Sequence, residues 1–279
     1  MENPYLPYPV TISDIAVEND AKDLKTFKLV FENKEDESRF NYLPGQFAEL
    51  SLFGKGESPI GIASSPTEQG YLLFTVKKTG LVTNELHNAE VGKKMGVRGP
   101  LGKPFPWERL AGKDIVIVGG GFAFTTLRSA ITYIMHPDNR RKFKKVTTIY
   151  GARSPGELLY KRDLLEWERG SAMDLHVTVD KASDGWKGRE GLVPNVLRDA
   201  HPSPVNTVAL VCGPPIMIRF TMPVLLELGF QGNDILLSLE MRMKCGIGKC
   251  GRCNIGHRFV CIDGPVFTWQ ELQSLPQEY

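Results

Sequence analysis

The stretch Asp114-Ile115-Val116-Ile117-Val118-Gly119-Gly120-Gly121 decides how the middle of this chain folds. Residues 115–118 run apolar without alternation into three glycines, and residues 125–135 then show helical spacing. An unbroken apolar run is how a strand buried on both faces reads. Glycines between such a strand and a helix let the backbone approach a phosphate at the helix N-terminus. Gly119, Gly120 and Gly121 are therefore candidate nucleotide contacts. The turn departs from G-x-G-x-x-G, because Phe124 holds the place of the third glycine. Taken alone, it reads equally as a tight turn serving packing.

Working outward to the C-terminal side, residues 146–150 form a strand candidate followed by Gly151, and 157–167 have helical spacing. Residues 175–179 and 208–211 are two more buried strands, and 216–228 a helix interrupted by Pro223. Strands alternating with helices imply a parallel sheet, with ligands at the carboxyl ends of its strands. Two of those ends carry chemistry. Val211-Cys212-Gly213-Pro214-Pro215-Ile216-Met217 places prolines where a first helical turn needs no N–H donor. A soft thiol there suits contact with a nicotinamide ring, although an isolated buried cysteine is more often plain packing. Asp180 closes residues 177–180 and can accept from adenosine ribose hydroxyls while repelling a 2′-phosphate, which favours NADH over NADPH.

On the N-terminal side the pattern is β. Leu24–Phe31, 47–53 and 71–76 are short apolar runs bounded by Pro44-Gly45, Gly54-Lys55-Gly56 and Gly70, the spacing of a small antiparallel barrel. The expected organisation is a barrel over 1–106, a parallel-sheet α/β domain over 107–233 and a small cysteine unit over 234–279. The first boundary lies near 103–113, where two prolines and a glycine cluster.

That last unit holds four of the five cysteines, spaced Cys245-x4-Cys250-x2-Cys253-x7-Cys261. A C-x4-C-x2-C run with a distant fourth cysteine is the pattern of plant-type [2Fe–2S] proteins. Thiolates and sulfides concentrate negative charge. Gly246, Gly248 and Gly251 allow close wrapping by backbone N–H donors, and Lys244, Lys249 and Arg252 offset part of the charge. The alternative is a structural zinc site, with His257 nearby as a spare ligand. Zinc ribbons, however, commonly use two C-x2-C pairs.

Composition narrows the partners. In 279 residues, 42% are hydrophobic and 24% charged, and the net charge of +2 suggests neither nucleic acid nor an acidic membrane surface. No run approaches a bilayer span, and the first residues lack a basic start and an apolar segment, so a cytoplasmic protein without a secretion signal is expected. Four cysteines crowded into one glycine-rich stretch also argue against a disulfide scaffold.

Together these stretches resemble the ferredoxin-NADP reductase superfamily: the Gly119 turn, Tyr150-Gly151-Ala152-Arg153-Ser154-Pro155 and Cys212-Gly213-Pro214-Pro215. Thr178-Val179-Asp180-Lys181-Ala182, followed by Trp186, is similar to its NADH-using cytochrome reductases. The appended cluster is similar to the electron-transfer subunit of dihydroorotate dehydrogenase. Residues 239–253 and 260–267 match the gamma subunit of cytoplasmic NiFe hydrogenases (sulfhydrogenases) and its counterpart in anaerobic sulfite reductase. Residues 59–66, 119–129 and the terminus 275–279 look most like the NADH-oxidising subunit of flavin oxidoreductases linked to heterodisulfide reductase.

The resemblance implies a β plus α/β protein: an N-terminal antiparallel FAD-binding β-barrel, a parallel-sheet α/β nucleotide-binding domain and a small C-terminal iron–sulfur unit. It implies an NAD(P)H-dependent oxidoreductase passing electrons to protein subunits of a larger redox complex. Its cofactors would be FAD, a [2Fe–2S] cluster and NADH, with FMN and NADPH as alternatives. The implied flavin contacts are Pro59, Ile60, Gly61, Ile62 and Ala63, then Val76, Gly80, Val82 and Thr83. The implied nicotinamide contacts are Gly119, Gly120, Gly121, Thr125, Arg153, Asp180, Cys212, Gly213, Pro214, Pro215 and Met217. Cys245, Cys250, Cys253 and Cys261 would hold the metal. The superfamily's Arg-x-Tyr-Ser flavin motif is replaced by Ser58, Ile60 and Gly61. A zinc-stabilised binding subunit without redox activity is the alternative of a different class.

Overall fold

The computed structural model describes residues 3–170, 172–183 and 185–276, so residues 277–279 of the terminus compared above lie outside the described residues. The first sheet contains β1 (Tyr8–Val17), β2 (Leu24–Phe31), β3 (Phe47–Leu52), β4 (Gly56–Gly61), β5 (Leu72–Lys77) and β6 (Lys94–Leu101). Its order is β4-β3-β6-β1-β2-β5, antiparallel throughout, and the end strands β4 and β5 approach each other, rolling the sheet into a barrel. Val10, Ile12, Phe27, Leu29, Leu50 and Phe74 fill its interior. Ala48, Leu50 and Leu52 of β3 point into the barrel by the period of two. Phe47, Glu49 and Ser51 point out, yet they are buried too. The outer face of β3 is therefore covered by the rest of the chain, and Phe47 packs into a core belonging to the second half.

The second sheet contains β7 (Asp114–Gly120), β8 (Val146–Ala152), β9 (Asp174–Val179), β10 (Arg189–Glu190), β11 (Thr207–Cys212) and β12 (Ile235–Ser238). A short pair follows, β13 (Asn254–Ile255) with β14 (Arg258–Phe259), and then β15 (Val266–Thr268). The order is β10-β9-β8-β7-β11-β12-β15, parallel except for β15. Ile115 and Ile117 serve the core on one face, Val116 and Val118 that on the other. This two-sided burial is why residues 115–118 show no alternation. β15 pairs Leu237 with Phe267, so the cysteine unit completes the edge of the nucleotide sheet instead of hanging from it.

Two local expectations change. Residues 157–167 are not one helix: a short turn at Pro155–Glu157 precedes Tyr160 in a left-handed conformation (φ 51°), and the helix runs Lys161–Arg169. Leu158, Leu159 and Tyr160 are consecutive and all buried, which a one-sided helix does not allow. Pro223, conversely, does not interrupt its helix, which runs Pro215–Glu227. Pro223 lies on the exposed side, where the carbonyl freed by its missing N–H can meet water.

Candidate functional site

Strand order reverses between β7 and β11, the position at which open α/β sheets bind ligands. Cys212 stands opposite Gly119 in register, and Gly120 opposite Gly151, so three strands end at one level. A Cβ on Gly120 would fall 2.3 Å from Met217 Sδ, and one on Gly213 2.3 Å from Met217 Cε. Met217 thus fills the gap between two glycines that can carry no side chain. Gly121 (φ 53°) faces open space. Pro214 and Pro215 are exposed at the start of the Pro215–Glu227 helix. Cys212 is buried and its Sγ donates to the Ser238 carbonyl at 3.4 Å. Burial, reinforced by Glu240, pushes its thiol up to about 12, so it stays protonated.

The helix leaving the glycine turn runs Phe124–Met135. Phe124 stacks on Tyr150 with ring centroids 3.8 Å apart, and a Cβ on Gly119 would meet its ring at 2.5 Å. That contact explains an aromatic at the third-glycine place: the ring lies against the glycine-bearing strand. Thr125 is buried in the first turn. At the ends of β8 and β9, Arg153 and Asp180 are exposed and electrostatically coupled, and the Asp180 amide donates to the Ala152 carbonyl at 2.9 Å. Partial burial raises the Asp180 carboxyl, while Arg153 draws it down.

In the barrel, Pro59, Ile60 and Gly61 lie half-buried on the edge strand β4. Ile62 and Ala63 are buried, and their amides are engaged, donating to the Gln46 carbonyl at 3.1 Å and the Leu73 carbonyl at 2.9 Å. Val76 points into the barrel core, and its carbonyl is 2.9 Å from His87 Nε2. A cavity of about 480 Å³ opens beside β4, lined among others by Lys55, Ser58, Gly80, Val82, Thr83 and Lys244. The Thr83 hydroxyl is spent within its own turn, accepting from the Gly80 amide at 2.8 Å and the Thr79 amide at 3.0 Å. Donors at that wall are then the first backbone N–H groups of the Leu81–His87 helix, which have no partner inside it. Lys244 and Lys55, the latter 3.4 Å from Glu85, bring the positive charge that Ser58 does not, and the lining carboxylate Glu57 is held by Arg98 at 2.7 Å. The pocket fits a pyrophosphate.

Lys244 directly precedes the first cluster cysteine. Gly246, Gly248 and Gly251 all have φ near +70° (69°, 72° and 69°), which turns amides inward. Lys249 N–H and Cys250 N–H donate to Cys245 Sγ at 3.2 and 3.4 Å, and Gly248 N–H to Cys261 Sγ at 3.2 Å. Burial pushes the Cys245 thiol up, but the amides of Ile247, Cys250 and Lys249 outweigh it and bring it down to about 7. Burial and the adjacent Cys253 push Cys261 up to about 12. Among the described residues no three ligand groups close on a single ion. Four sulfurs with amide donors fit an iron–sulfur centre. Cys253 and Cys261 are buried and Cys250 is exposed, so one edge of the nest faces outward.

Sequence reasoning misses three contributors. Lys244 reads only as cluster charge, yet it also lines the cavity. Glu49 and Arg128 are buried ionisable groups whose surroundings come from remote segments, so no spacing announces them.

Three domain families match the chain in succession: the oxidoreductase FAD-binding domain over residues 15–105, the oxidoreductase NAD-binding domain over 117–222, and the iron–sulfur cluster binding domain of dihydroorotate dehydrogenase B over 240–273. The chain is 34% identical to sulfhydrogenase 1 subunit gamma of Pyrococcus furiosus, covering 99% of this chain and 95% of the relative. It is 33% identical to the probable dihydroorotate dehydrogenase B electron transfer subunit of Thermococcus kodakarensis, over 91% and 94%. Among solved structures it is similar to a chain of the NADH-dependent reduced ferredoxin-NADP oxidoreductase (TM-score 0.73, 25% identity, 100% and 95% covered).

Proposed function

Since the chain belongs to the family of ferredoxin reductase-type electron-transfer subunits with FAD-, NAD- and iron–sulfur-binding domains, we propose that it oxidises NADH and delivers the electrons, through FAD and a [2Fe–2S] cluster, to a partner protein. Bound flavin supplies the exchange between two-electron and one-electron transfer, and the cluster supplies one-electron transfer. The observation that carries the reading is the adjacency of Lys244 and Cys245. One lines the flavin cavity and the next is a cluster ligand, about 3.8 Å along the backbone. The two centres are therefore neighbours by construction.

The chain's own residues bind and orient. Lys55, Lys244 and the first turn of the Leu81–His87 helix hold the flavin pyrophosphate, while Pro59–Ile60–Gly61 offers an edge to the ring. Gly121 and the Cys212–Gly213–Pro214 end leave room for nicotinamide, and Asp180 receives the adenosine ribose. The protonated Cys212 acts as a neutral contact, not a nucleophile. The C-x4-C-x2-C spacing with a distant fourth cysteine, and the backbone amides aimed at Cys245 and Cys261, support two irons over a single zinc ion. Cys250, on the exposed edge, is the exit.

The acceptor is a protein. The likeness of residues 59–66 and 119–129 to heterodisulfide reductase-linked subunits supports a complex of that kind, and likeness to sulfhydrogenase gamma supports a hydrogenase as the second reading. Anaerobic affinity purification from the native host separates them by which large subunit co-elutes. Cys250→Ser tests the electron order: cluster signals should disappear while NADH still bleaches the flavin. Loss of flavin bleaching in a folded, flavin-loaded variant would refute that order.

A further inference from the structure

Arg128 lies on the Phe124–Met135 helix and is only 7% exposed, although it carries a full charge. Its Nη1 donates to the Ala63 carbonyl at 2.9 Å and to Glu68 at 2.9 Å, its Nη2 to Glu68 at 3.0 Å, and its Nε to Asp163 at 2.5 Å. The guanidinium also lies over the Tyr160 ring, 5.3 Å from its centroid, and the Tyr160 hydroxyl bonds Thr75 of the barrel at 2.5 Å. One residue on, Ser129 Oγ donates to the Ser64 carbonyl at 2.6 Å. Two residues before Arg128, Thr126 Oγ1 sits where a Cβ on Gly61 would be only 2.9 Å away. A single helix thus holds the backbone carbonyls of Ala63 and Ser64 and leaves no room for a side chain at Gly61.

That helix begins at the Gly119–Gly121 turn, and residues 62–64 follow directly on Pro59–Ile60–Gly61, the segment given to the flavin. We infer that Arg128, with Ser129, is a positioning residue that sets the distance between the flavin edge and the nicotinamide turn. This inference rests on the functional reading above. A buried ion cluster contributes little net stability compared with apolar packing, because its desolvation offsets its attraction. What it supplies is a fixed arrangement. Transfer between two bound rings is sensitive to displacements of about 1 Å, which can cost on the order of 100-fold in rate. Arg128 is suited to this because its planar fork reaches a carbonyl and two carboxylates at once, which a lysine ammonium cannot do with the same geometry.

The test uses the full chain, loaded with flavin and handled anaerobically. Four quantities are measured for the unaltered protein, Arg128→Gln, Arg128→Lys and Ser129→Ala: flavin content, NADH dissociation constant, intensity of the nicotinamide–flavin charge-transfer absorption, and bleaching rate at saturating NADH. Flavin content and NADH affinity should stay within about twofold, while bleaching slows about tenfold or more in both Arg128 variants and a few-fold in Ser129→Ala, with weaker charge-transfer absorption. Unaltered bleaching and absorption in a flavin-loaded Arg128 variant would overturn the assignment. Should the Arg128 variants fail to fold, Ser129→Ala decides: unchanged rate and absorption overturn it, slowed bleaching with intact NADH affinity upholds it. An unaltered protein that NADH does not bleach would instead defeat the NADH–flavin reading itself, a result distinguishable from equal rates.

Discussion

Glu49 has no exposed surface, and neither of its carboxyl oxygens has a hydrogen-bond partner among the described residues. It points from β3 toward the cysteine unit, where a Cβ on Gly246 would stand 3.3 Å from its Oε1. Burial pushes its carboxyl up to about 8 from an ordinary 4.5, against the pull of Arg98, whose guanidinium is already paired with Glu57 at 2.7 Å. The folded chain therefore binds this proton more tightly than the unfolded chain. Its contribution is complete below about pH 4.5 and is lost as pH rises through about 8. Glu49→Gln should flatten that loss, making the variant more stable than the unaltered protein above pH 8 by on the order of 2–4 kcal/mol. Melting temperatures across pH 5–9 check it, and parallel curves would contradict it. Asp180→Ala leaves Arg153 without its carboxylate neighbour, at the strand end proposed for the ribose. The NADH/NADPH ratio of kcat/KM should fall about tenfold, or about 1.4 kcal/mol; an unchanged ratio removes Asp180 from cofactor selection. The place of Asp180 was legible because it closes a strand of the parallel sheet. Glu49 was not, since its burial depends on a loop nearly two hundred residues away.

At the scale of elements, the cluster loop works by backbone shape. Gly246 and Gly251 both have φ 69°, so alanine costs each about 1 kcal/mol in conformation. Their surroundings differ: a Cβ on Gly246 meets Leu101 Cδ1 at 2.6 Å, whereas one on Gly251 meets only the Phe259 ring at 4.0 Å. Gly246→Ala should therefore lose more iron on purification than Gly251→Ala, and equal iron contents would show that the packing against β6 is unimportant. The loop could be read from sequence because thiolate spacing is a local constraint. So could β7, because two-sided burial erases alternation. The segment 157–167 could not, since its helical spacing conceals Tyr160, whose left-handed turn is set by contacts with Thr75 and Glu18 of the barrel rather than by its neighbours.

Across the whole molecule, the parts are sewn together more tightly than three consecutive domains suggest. The outer face of β3 is covered by the rest of the chain, Arg128 and Tyr160 bridge the seam, and β15 returns from the cysteine unit to close the nucleotide sheet. Composition and motif order place the three units in sequence, but not the strand exchange, because β15 spans only Val266–Thr268. Phe267 is 3% exposed on that strand. Phe267→Ala should cost about 3–5 kcal/mol and lower the temperatures of cluster bleaching and flavin release together. Separate transitions would mean that the units unfold independently. The nearness of Cys245 to the cavity proposed for the flavin remains the centre of the account. It is tested most directly by anaerobic purification, iron and sulfide analysis, and titration with NADH under electron paramagnetic resonance. Expected are about two irons and two sulfides per chain, with a reduced-cluster signal growing as NADH is added. Zinc in the nest, or a cluster that dithionite reduces and NADH never does, would contradict it.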